Sequence, residues 1–119
     1  MTKILAVDDS PSLLQMVNYT LSTADYDVTN AEHGQQALDL AKESQFDVIV
    51  TDVNMPIMDG ITLVTELRKL SNYRAIPILV LTTESSMNMK KAGKQAGATG
   101  WIVKPFDPNK LLKTIKRVI

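Results

Sequence analysis

Short apolar runs alternate with longer stretches of helical period along this chain. The runs Ile4-Leu5-Ala6-Val7, Val48-Ile49-Val50, Ile78-Leu79-Val80-Leu81 and Trp101-Ile102-Val103 contain no charged residue. A strand reads this way when both its faces are covered, as in a parallel sheet layered between helices. A further run, Tyr26-Asp27-Val28-Thr29-Asn30, alternates polar and apolar residues and suits a sheet edge. The pattern predicts strands over 3–7, 26–30, 47–51, 77–82 and 100–103. Helices are predicted over 12–23, 35–44, 60–70, 86–96 and 108–118.

Strands alternating with helices of this length make βαβ units and a parallel sheet. Right-handed crossovers leave few topologies. The expected fold is a doubly wound (βα)5 three-layer α/β sandwich with five parallel strands in the order 2-1-3-4-5. Ser10-Pro11 and Asp107-Pro108 each read as an N-cap followed by a helix-opening proline. The first helix should bury Leu13, Met16, Val17, Thr20 and Leu21. The last should bury Leu111, Leu112, Ile115, Val118 and Ile119. Gly97 is placed to end the fourth helix in a left-handed turn.

A chain of 119 residues with 45% hydrophobic side chains makes one domain with a real core. Its 13 basic and 13 acidic side chains cancel, so no global field draws it to nucleic acid or to an anionic membrane. It has 0 cysteines, which excludes disulfides and thiolate metal sites. No apolar stretch approaches the ~20 residues of a membrane span, and the N-terminus does not read as a signal peptide. The expectation is a cytoplasmic monomer, one domain over 1–119 with no output domain after the last helix.

Chemistry concentrates where strands end. Asp8-Asp9 follows the first run, Asp52 the third, Thr82-Thr83 the fourth and Lys104-Pro105 the fifth. Parallel strands share one C-terminal edge, where ligands bind, so these groups should converge. Three carboxylates against one lysine leave a local charge of about −2, which suits a divalent cation with oxygen ligands such as Mg²⁺. A carboxylate beside a cation and a lysine can attack phosphorus and form an acyl phosphate. Mg²⁺ and Lys104 would then neutralise the phosphoryl oxygens, and the Thr82 hydroxyl could donate to one of them. The backbone carbonyl of Asn54 could complete the metal site. Taken singly, Asp8-Asp9 could be a solvated turn, Asp52 a helix cap and Thr82 a β-forming residue. His33 precedes Gly34 in an expected loop and has no chemical role in this reading.

Four motifs in this order carry a family resemblance: Val7-Asp8-Asp9-Ser10; Asp52-Val53-Asn54-Met55-Pro56 with Met58-Asp59-Gly60; Leu81-Thr82-Thr83-Glu84; and Ala96-Gly97 through Lys104-Pro105-Phe106. The chain resembles the two-component response-regulator receiver domain from end to end, most of all the single-domain chemotaxis regulators. The resemblance implies a flavodoxin-like fold with Asp52 as phosphoacceptor. It implies Mg²⁺ held by Asp8, Asp9, Asp52 and the Asn54 carbonyl, with Thr82 and Lys104 binding the phosphoryl group. Asn54 and Glu84 would tune phosphate loss. Thr83 leaves room for the phosphate, and Trp101 replaces the tyrosine or phenylalanine that moves inward on activation. Leu14 stands where many relatives carry arginine, so a surface contact there would be lost.

The implied phosphoryl donor is a histidine kinase. The implied output is binding of a protein target, such as the flagellar motor switch, through the face of helix 4, strand 5 and helix 5. Met87, Lys90, Lys94, Trp101, Lys113 and Arg117 are its candidate residues, and a phosphatase is a further candidate partner. A phosphorelay intermediate or phosphate sink is the alternative output. A haloacid dehalogenase-type phosphohydrolase would want an aspartate where Asn54 stands. In a flavodoxin-like electron carrier, Asp8-Asp9 would repel the bound phosphate.

Overall fold

In the computed structural model, which describes residues 2–119, the element order is β1 (Lys3–Val7), α1 (Pro11–Ser22), β2 (Asp27–Ala31), α2 (Gly34–Glu43), β3 (Val48–Thr51), α3 (Gly60–Lys69), β4 (Ile78–Thr82), α4 (Met87–Ala96), β5 (Gly100–Val103) and α5 (Pro108–Val118). A 3-10 turn at Ser71–Tyr73, not predicted, links α3 to β4. All pairings are parallel, and the strand order is 2-1-3-4-5, as expected.

Period-two alternation splits each buried strand between two cores. Ile4, Ala6, Val48, Val50, Leu79 and Leu81 face α1 and α5, where Leu14, Val17, Leu21, Leu111 and Ile115 cover them. Leu5, Val7, Ile49 and Ile78 face the other way, toward Ala37, Leu38 and Ala41 of α2 and Leu63, Val64 and Leu67 of α3. Charged groups therefore cannot sit within these strands and appear at their ends.

Several local expectations hold. Ser10 caps α1, Asp107 caps α5, and Gly97 ends α4 at φ 110. Others need correction. α1 starts at Pro11, because proline itself opens the helix. β2 starts at Asp27, set by the pairing of Lys3 with Asp27, and so gains the buried Ala31. Met16 is 55% exposed and Ile119 56% exposed, since only a narrow stripe of each helix reaches the sheet. Leu14 needs no correction: its side chain is buried in the core, which agrees with the loss of a surface contact there. His33 caps α2, its Nδ1 accepting the Gln36 N–H at 3.1 Å.

Ile57, in the loop between β3 and α3, has φ 70 and is 77% exposed. A β-branched residue in this left-handed region is strained, and so exposed a side chain gains little packing in return. Ile57→Asn is therefore expected to raise stability by about 1 kcal/mol, read as a higher urea midpoint with an unchanged slope. A lower midpoint would mean that the side chain contributes more than its exposure suggests.

Candidate functional site

Strand register places the site residues side by side. Val7 pairs with Thr51, so Asp8 and Asp52 leave adjacent strands at the same level. The Asp52 N–H donates to the Val7 carbonyl at 3.0 Å. Thr82 pairs with Val103, and the Lys104 N–H donates to the Thr82 carbonyl at 2.7 Å. The Lys104-Pro105 peptide is cis.

The Lys104 ammonium spans the gap between β5 and β1. Its Nζ donates to Asp8 Oδ2 at 2.8 Å and to Asp52 Oδ2 at 3.1 Å. The other oxygen of each carboxylate accepts a backbone N–H, from Ser10 to Asp8 Oδ1 at 2.9 Å and from Val53 to Asp52 Oδ1 at 2.7 Å. Both aspartates are buried, at 5% and 8% exposure, whereas Asp9 is exposed. Asp8, Asp9 and Asp52 each present an oxygen, all within 4.8 Å of one another. Hard oxygen donors, excess negative charge and an open side toward Asp9 fit a hard divalent cation. Asn54 lies exposed two residues beyond Asp52.

Gly60 was legible in the sequence only as a helix opener. Its N–H donates to the Val53 carbonyl at 2.8 Å, and a Cβ there would overlap the Asp52 carbonyl oxygen. The start of α3 thus presses on the backbone that carries Asp52. Thr51 secures the same carbonyl, its hydroxyl donating to Asp52 O at 2.8 Å.

Burial pushes the Asp8 carboxyl above the usual carboxylate range, more strongly than its bonds to Lys104 and Ser10 pull it down. The folded state therefore binds the Asp8 proton more tightly than the unfolded chain does. Ionised Asp8 lowers stability: the loss begins as pH rises past the unfolded value of 3.8 and is complete once pH has risen through the folded pKa. Without metal, Asp8→Asn should be more stable than the parent at neutral pH. The gap should close below a pH of about 4, where Asp8 is protonated in both states. Urea unfolding in chelator across this range checks it, and a less stable variant at neutral pH would contradict it.

Thr82 is fully buried at the end of β4 and accepts the Glu84 N–H at 3.3 Å. Thr83 is exposed and Glu84 half-buried. Trp101 is half-buried, and its Nε1 donates to the Glu84 carbonyl at 2.9 Å. Beside it, Lys90, Lys94 and Trp101 line a cavity of about 230 Å³. Met87, Lys113 and Arg117 are exposed. Among the described residues, no helix is long and apolar enough to cross a membrane.

The response regulator receiver domain model matches residues 4–116. The chain is 39% identical to the chemotaxis protein CheY1 of Helicobacter pylori, covering 98% of this chain and 96% of CheY1. It is 37% identical to the transcriptional regulatory protein PrrA of Mycobacterium tuberculosis, again over 98% of this chain. The chain spans about half the length of PrrA, 49%. The structure of the chemotaxis protein CheY4 of Vibrio cholerae superposes with a TM-score of 0.96 at 54% identity, covering 100% of this chain and 99% of CheY4. With the flavodoxin-like topology and the acidic edge both in place, these matches make the chain a member of the response regulator receiver domain family.

Proposed function

We propose that Asp52 accepts a phosphoryl group from the phosphohistidine of a histidine kinase, and that this controls binding of a protein target in a chemotaxis pathway, the flagellar motor switch being the first candidate. The observation that carries the reading is the Lys104 ammonium held between Asp8 and Asp52 at the open edge of the sheet. The proposed unit is one receiver domain, acting through the α4–β5–α5 face.

In the transfer, an Asp52 carboxylate oxygen attacks phosphorus as the donor's P–N bond breaks, and the imidazole departs. The N–H of Val53 and the Lys104 ammonium fix the attacking carboxylate. Asp8, Asp9 and Asp52, with the Asn54 carbonyl, would hold Mg²⁺, which supplies positive charge to offset that of the phosphoryl oxygens. The acyl phosphate carries roughly −1.5 to −2 charge where the carboxylate carried −1, so up to about one negative charge is added beside Lys104. Lys104 then exchanges carboxylate partners for phosphoryl oxygens.

Thr82 extends this to the output face. Its hydroxyl accepts from Glu84 N–H and keeps its own proton for a phosphoryl oxygen. Glu84 in turn holds the Trp101 indole through its carbonyl. A shift of Thr82 toward the phosphate thus pulls on the loop that anchors Trp101. Moving the equilibrium from 1:99 to 99:1 takes about 5.5 kcal/mol of differential stabilisation. A new charge-assisted bond of roughly 1.5–3 kcal/mol from Thr82 supplies part of it, and Lys104, already bonded to carboxylates, adds only the difference between its two sets of partners.

The protein incubated with acetyl phosphate and Mg²⁺ should gain one phosphate by intact mass, and none in chelator. No adduct under either condition would contradict the reading.

A further inference from the structure

Glycine inside a helix costs roughly 0.5–1 kcal/mol relative to alanine. α4 nonetheless has Gly93 in its interior, and the position is buried. The space a side chain would fill is already taken. A Cβ at Gly93 would lie 2.6 Å from Trp101 Cζ3 and 3.0 Å from Cε3. Carbon atoms in ordinary contact sit about 3.5–4.0 Å apart. The six-membered ring of the indole therefore occupies a notch in α4 that glycine alone leaves open.

The five-membered ring of the same indole is tied elsewhere, its N–H on the Glu84 carbonyl at 2.9 Å. One rigid side chain thus spans three elements. Its backbone belongs to β5, paired with Val80 of β4. One edge sits against Gly93 of α4, and the polar edge holds the loop between β4 and α4. Because the ring system is rigid, pushing the six-membered ring off Gly93 must also displace the N–H from Glu84. Conversely, a shift of Glu84 must move the ring within the notch or carry α4 with it.

We propose that Gly93 is a positioning residue for Trp101: its notch seats the indole and couples the place of α4 to the Trp101–Glu84 hydrogen bond. This deepens the proposed switch and rests on it for its meaning in signalling, while the seating itself is a property of the unphosphorylated protein. It also accounts for a large indole at this strand position, since the missing side chain on α4 offsets the extra ring.

The chain has 1 tryptophan, so its fluorescence reports on residue 101 alone. Gly93→Ala should shift the emission to the red and raise quenching by acrylamide, without phosphate or metal. It should also lower the urea midpoint, against the usual gain for alanine in a helix. In a Trp101→Phe background, which lacks the second ring, the same substitution should raise the midpoint. That change of sign within the double-mutant cycle isolates the contact from a general helix effect. Unchanged emission and quenching, or a raised midpoint in both backgrounds, would overturn the proposal. With Mg²⁺ and beryllofluoride, Gly93→Ala should lose part of the emission change that the parent shows, and an equal change in both would count against the coupling. A parent that fails to respond would refute the phosphoryl reading and leave the seating measurements standing.

Discussion

Asp52→Asn is expected to abolish phosphate uptake entirely, with no adduct by intact mass under conditions that modify the parent. The substitution keeps the shape and one acceptor oxygen, enough for either the Val53 N–H or the Lys104 ammonium but not both, since the amide NH2 cannot accept. It replaces a carboxylate oxygen, the nucleophile, with an amide that does not form an acyl phosphate. Asp8 and Asp9 remain, yet neither takes over in this account. Asp8 is given to the cation, as one of the oxygen ligands that would hold Mg²⁺. Asp9 is exposed and lacks the ammonium contact. An equal adduct on parent and variant would show that another residue accepts the phosphate.

The second large effect falls on the fold beneath the site. Gly60→Ala is expected to cost about 3 kcal/mol or more in stability. The new methyl group would collide with the Asp52 carbonyl oxygen and crowd the Asp52 carbonyl carbon at 2.8 Å and Val53 Cα at 3.0 Å. These are backbone atoms between two buried elements, so no side chain can rotate away to relieve them. The Gly60 N–H bond to Val53 would break or α3 would retreat from the sheet. The substitution should therefore lower the denaturation midpoint and slow phosphate uptake in whatever fraction remains folded. A variant as stable as the parent would mean that α3 can withdraw at little cost and that Asp52 is not braced by it.

Much of this architecture is legible in the sequence because burial leaves a plain mark. Ile4-Leu5-Ala6-Val7 and Ile78-Leu79-Val80-Leu81 are buried on both faces and carry no polar residue to mislead. The site is legible for a related reason. A charge next to such a strand must stand at its end, and parallel strands align their ends. What stays hidden depends on tertiary approach. α1 offers apolar residues over more of its circumference than the sheet covers, so Met16 cannot be told from Val17 by periodicity. Gly60 and Gly93 look alike as helical glycines, yet one makes room for a backbone carbonyl and the other for an indole ring. Arg68 reads as an ordinary basic residue near a helix end. In the fold its guanidinium donates to the carbonyls of Tyr73, Ile76 and Gly97 and pins the end of α4 to the turn before β4. No local pattern announces a contact across 29 residues.

The central claim is that phosphate forms an acyl linkage on Asp52, and chemical trapping tests it most directly. Protein treated with acetyl phosphate and Mg²⁺ is reduced with borohydride, which converts an aspartyl phosphate to homoserine, and is then digested and sequenced by mass spectrometry. The account predicts homoserine at position 52 and unmodified aspartate at positions 8 and 9. Homoserine at 8 or 9, or an adduct that survives borohydride intact on a hydroxyl such as Thr82, would contradict it.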